Sequence, residues 1–130
     1  MYEQTTRHIR ILVRPEFLEH QSEPAAPRFV WAYTITLENL SGETVTLLTR
    51  HWIIMDGLGH KQEVKGDGVV GEQPTLRPGD RFEYTSGCPL PTPSGVMSGS
   101  FGMITGKGEH FDAVIPGFSL DSPYDVHSLN

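Results

Sequence analysis

The chain has 130 residues and a formal net charge of −6 at pH 7, from 16 acidic and 10 basic side chains. With 37% hydrophobic and 20% charged residues it reads as one globular domain, long enough to bury a core without disulfide or metal staples. The acidic balance argues against general binding to nucleic acid or to an anionic membrane, both of which want a basic face.

Glycine (14) and proline (10) are spread along the whole chain, cutting it into short pieces with little room for a long helix. Between these breakers the apolar residues alternate. The segment "HIRILVR" puts Ile9, Ile11 and Val13 on one face. "RFVWAYTITLEN" turns Phe29, Trp31, Tyr33, Ile35 and Leu37 inward and Thr34, Thr36 and Glu38 outward. "ETVTLLTRHWIIMD" is rich in β-formers and ends at "DGLG", before "HKQEVKG", which predicts a hairpin through Asp56 and Gly57. Within it Arg50, Trp52 and Ile54 share one face and His51, Ile53 and Met55 the other. Large apolar residues on both faces place this strand centrally in a sheet. "TLRPGDRFEYTS" turns at Pro78-Gly79, and "GVMSGSFGMIT" turns at "GKG" into "EHFDAVIPGF", a second hairpin.

The pattern predicts an all-β antiparallel sandwich of about seven to nine strands. One domain should span 1–130, with its core at about 9–120 and a flexible tail at about 121–130. The longest unbroken apolar run is Phe29 to Tyr33, far short of the roughly 18–20 residues that cross a bilayer, so no membrane insertion is expected. No small-residue cleavage site follows an apolar region near the N-terminus, and the lone cysteine, Cys88, fits a reducing compartment. The expected location is cytoplasmic.

Gly66, Gly68 and Gly71 stand in the spacing G-x-G-x-x-G within "EVKGDGVVGEQP". A dinucleotide fingerprint needs a helix opening at the last glycine, and Pro74 and Pro78-Gly79 deny one. Two readings stay open. The glycines supply positive φ in a tight loop, or their N–H groups form a helix-free nest for an anion such as pyrophosphate. Glu63, Asp67 and Glu72 crowd that loop with negative charge, offset by Lys61 and Lys65.

No H-x-x-x-H, H-E-x-x-H or C-x-x-C spacing joins the six histidines or Cys88. A metal site would have to assemble across strands, for instance His51 with Asp56 or His60, or an oxygen set of Asp67, Glu72 and Asp80. Mg²⁺ and Co²⁺ are the candidate ions. Cys88 has no local base signature and reads as a small buried thiol. Arg50, His51 and Trp52 read either as strand and core or as a recognition surface, where Arg and Trp are favoured anchors.

Four pieces, "RHWIIMD", "GDGVVGEQP", "LRPGDRFEYTSGCPL" and "TPSGVMSGSF", occur in an order and spacing that resembles the ApaG family from about Ile9 to Leu120. The resemblance implies a fibronectin type III or immunoglobulin-like sandwich and a link to cobalt resistance and magnesium efflux. It also implies partner binding, as in the related domains of F-box and polymerase-interacting proteins. It carries no catalytic residue set. The expected function is a non-enzymatic cytosolic module that binds a protein partner, with Arg50, His51, Trp52 and the loop Gly66 to Gly71 as the surface. A homodimer through an open sheet edge is a further expectation. The alternatives are a pyrophosphate or nucleotide binder using Gly66, Gly68 and Gly71, and a direct divalent-cation binder.

Overall fold

The computed structural model describes residues 1–125. Nine strands follow in order: β1 Tyr2–Thr6, β2 Ile9–Phe17, β3 Phe29–Asn39, β4 Val45–Asp56, β5 Lys61–Asp67, β6 Thr75–Leu76, β7 Arg81–Leu90, β8 Gly95–Thr105 and β9 His110–Leu120. A three-residue 3₁₀ turn, Glu19–Gln21, is the one helical element among the described residues. None of these is a helix long and apolar enough to cross a membrane.

The strands form two antiparallel sheets, β1-β2-β3-β7 and β5-β4-β8-β9, with the short β6 paired to the start of β4. This is the sandwich the alternation predicts. Ile9, Ile11 and Val13 of β2 and Trp31, Ile35 and Leu37 of β3 are buried, facing Leu47, Phe101, Met103 and Ile115 of the second sheet. Both predicted hairpins form, β4 with β5 and β8 with β9. The Pro78-Gly79 turn instead carries the chain from the second sheet to the first, because β6 pairs with β4 and β7 with β3.

β1 lies ahead of the predicted core. It is mostly exposed and so has no alternation to betray it. Its turn to β2 uses Arg7 and His8, both at positive φ, in place of the usual Asn-Gly pair. β1 and β2 pack against β9 and close that side of the sandwich. Tyr2 rests its ring on Phe118, and its hydroxyl lies 3.0 Å from Ser119 Oγ.

Of the tail expected to be flexible, 126–130 lie outside the described residues. Those just after β9 fold back on the core. The Trp31 indole N–H donates to the Asp121 carbonyl at 2.8 Å, and Tyr124 packs on Phe17 and Phe29.

Asn39 ends β3 fully buried, with its side chain satisfied throughout. Its amide donates to the carbonyls of Glu43 (2.7 Å) and Leu76 (2.9 Å), and its oxygen accepts from Ser41 N and Oγ. It thereby ties the β3–β4 connection to β6. Asn39→Ala leaves buried carbonyls without donors and should lower unfolding free energy by about 2–4 kcal/mol. Thr34→Val, on the exposed face of the same strand, should shift it by less than about 1 kcal/mol in the same denaturant melts.

Candidate functional site

Strand β4 leads from the closed core to the open side of the sandwich, where β5 and β7 are the free edges of their sheets. Its residues divide by parity. Trp52 points inward, 3% exposed, with its ring edge on Tyr33 at 5.3 Å and edge-on contacts to Phe101 and Phe118. It is core, and meets the surface only as part of a cleft wall. Arg50 lies on the same side, and His51 faces outward.

The β4–β5 register sets Arg50 directly opposite Gly66. The guanidinium lies across that glycine, and a Cβ there would sit 2.7 Å from Nη2. Nη1 donates to the carbonyls of Asp67 (2.8 Å) and Gly68 (3.0 Å). Arg50 thus braces the glycine loop through its carbonyl oxygens. Three of the loop's N–H groups are used within the fold: Gly68 N donates to Leu48 O, and Val69 and Glu72 exchange N–H···O bonds at 2.8 and 2.9 Å. Gly68 and Gly71 both have positive φ, +63° and +80°, with Val70 between them at +43°. The sequence reading joined Arg50 and the glycine loop in one expected surface, and the fold brings them together as one corner in which Arg50 is bonded to the loop itself.

Beside that corner a cavity of about 460 Å³ opens between the sheets, walled by Tyr33, Trp52, Tyr84 and Cys88 with Arg50 and the loop at its rim. Burial pushes the Tyr33 and Tyr84 hydroxyls above the usual tyrosine range, and the nearby Arg50 charge pulls both back. Burial likewise raises the Cys88 thiol to about 11, which keeps it protonated at neutral pH and a poor nucleophile.

On the outer face, His51 Nε2 lies 2.9 Å from Glu63 Oε2 across the β4–β5 pair. That bond, helped by Lys61, holds the Glu63 carboxyl below its ordinary range. His51 reaches neither Asp56 nor His60. Those two pair with each other at 3.2 Å, and Asp56 also accepts from Leu58 N and His60 N to close its own turn. Among the described residues no group of three His, Cys, Asp or Glu side chains is placed to hold a metal ion. Asp67, Glu72 and Asp80 form no such set; Asp80 caps the turn at Arg77 N. Beyond His51 the same face carries Ile53, Met55 and Val96, and Leu58 stands exposed at the turn.

The ApaG domain pattern matches residues 19–105. The chain belongs to the ApaG family. It is 62% identical to Protein ApaG of Rhodospirillum centenum over 124 residues, 95% of each chain. It is also 57% identical to Protein ApaG of Paramagnetospirillum magneticum over 130 residues, the whole of both. A crystal structure of the putative ApaA protein from Bordetella pertussis superposes with a TM-score of 0.86 at 42% identity, covering 95% of this chain and 97% of that one. The ApaG fold is therefore the frame on which the braced corner is built.

The three glycines should differ in what they tolerate. Gly68→Ala combines a left-handed φ with overlap on the Glu72 carbonyl and should cost about 2–4 kcal/mol in denaturant unfolding. Gly71→Ala meets open space and should cost about 1–2 kcal/mol from φ alone. Gly66→Ala collides first with the guanidinium, so much of its cost should vanish in an Arg50→Ala background, a coupling of about 1 kcal/mol.

Proposed function

We propose that this ApaG domain is a non-enzymatic binding module that recognises a protein partner on the outer face of β4 and β8. The observation that carries the reading is an apolar strip at one end of the two inner strands of the five-stranded sheet, beside the β4–β5 turn. Met55 and Val96 are direct cross-strand partners and therefore share a face; they are 42% and 50% exposed. Ile53 follows two residues before Met55, and Leu58 extends the strip at the turn. An exposed apolar patch rimmed by polar groups, here the His51–Glu63 pair and Lys61, is the usual anatomy of a protein-binding surface. The chemistry-bearing side chains nearby are paired with one another or held as structure.

On this reading the recognition surface is the His51 side of the strand, while Arg50 and Trp52 shape it from beneath. The connection to Co²⁺ and Mg²⁺ homeostasis implied by the family likeness is indirect, because the partner rather than this domain handles the ion. The module acts in the cytosol, where a single buried thiol is at ease.

A photo-crosslinking residue placed at Met55 in cells should give a discrete product with a different protein, and Val96→Lys should abolish it. The same residue at the exposed Leu40 should not give that product. No product at position 55, or one containing only a second copy of this chain, would contradict the reading.

A further inference from the structure

The cleft between β5 and β7 has features that a packing gap does not. Tyr84 is 8% exposed, and its hydroxyl is buried with no hydrogen-bond partner in the protein. A buried, unsatisfied hydroxyl costs folding free energy, and native structures keep few of them. Its ring lies on the cavity wall. Both of Arg50's hydrogen bonds come from Nη1, leaving Nη2 and Nε at the rim for a further acceptor. In a chain of net charge −6, Arg50 is the one charged residue among those lining the cavity, and no carboxylate is among them. Apart from Arg50 the walls combine the rings of Tyr33 and Trp52 and the aliphatic Ile54 and Val64 with two neutral polar side chains, Gln62 and Ser86. A volume of about 460 Å³ lies within the range of small-molecule pockets, roughly 300–1,000 Å³.

We propose that this cleft is a binding site for a small aromatic carboxylate. The single negative charge sits on the free edge of the Arg50 guanidinium, the ring system enters between Tyr33, Trp52 and Val64, and the Tyr84 hydroxyl hydrogen-bonds a polar atom of the ligand. The charge complement follows from the lone cation. The aromatic body follows from the walls, which favour offset or edge contacts with a flat ring. A planar two-oxygen acceptor suits the guanidinium fork better than a point anion. This site is separate from the outer face of β4 and β8, and neither reading depends on the other.

The experiment is an NMR titration of the labelled full chain with 1-naphthylacetate, in parallel with 1-naphthylacetamide and with acetate. Saturable shifts at Tyr33, Trp52 and Gly71, weaker by roughly 10-fold or more for the neutral amide and absent for acetate, are expected. Tyr84→Phe removes only the unpaired hydroxyl, so its melting temperature should match or exceed that of the parent. Its affinity for naphthylacetate should fall roughly 3- to 10-fold. The proposal is overturned by silent cleft resonances at millimolar probe, by equal binding of acid and amide, or by a Tyr84→Phe variant that is folded and binds as well as the parent.

Discussion

The edge of Trp52 set against Tyr33, ring centroids 5.3 Å apart, is the shortest of the aromatic contacts that join the two sheets through their common core. Each sheet alone would expose an apolar face, and neither strand pairing nor turns can hide it. Trp52 reaches from the middle of β4 to Tyr33 on β3, and touches Phe101 and Phe118 of its own sheet on the way. Tyr33 on Phe118, Tyr2 on Phe118 and Tyr84 on Phe101 are further aromatic crossings between the sheets. Large rings at these positions set the spacing of the layers, and that spacing decides what else fits. On the β1-β2 side β9 closes the gap. On the other side the rings prop the free edges of β5 and β7 apart, and the cleft is the result.

Arg50 belongs to the same constraint. Two residues from Trp52 on the same face, it emerges at the rim where the core ends, and only a glycine opposite gives its guanidinium room to lie flat. The loop after β5 then folds around the charge, carbonyls inward. A spacing that suggests phosphate binding in a strand–loop–helix setting here accompanies a cation-braced turn in a strand–loop–strand setting.

The fold was legible because period-two alternation in β2 and β3 and the turn residues at Asp56-Gly57 and Lys107-Gly108 all point the same way. β1 was not legible, since an exposed edge strand with a turn of Arg7 and His8 carries neither signal. The Asn39 network escaped because periodicity says nothing of polar side chains that link loops. The corner could have been found by counting outward from the β4–β5 turn. However, a one-residue change in turn length would set Arg50 opposite Lys65 instead of Gly66, and sequence does not fix that length. The unpaired Tyr84 hydroxyl depends on the distance between layers, which no local pattern encodes. The outer-face strip was half visible: His51, Ile53 and Met55 were placed on one face, but which face looks outward required the partner strand.

The central claim is that the glycines at 66, 68 and 71 serve architecture, held by Arg50 and by internal N–H···O bonds. Its most direct test is an amide NMR titration with pyrophosphate and with ATP, each with and without Mg²⁺. The account predicts that the Gly66, Gly68 and Gly71 amides stay where they are up to millimolar ligand. Saturable shifts confined to those three amides would contradict it and make the loop an anion site.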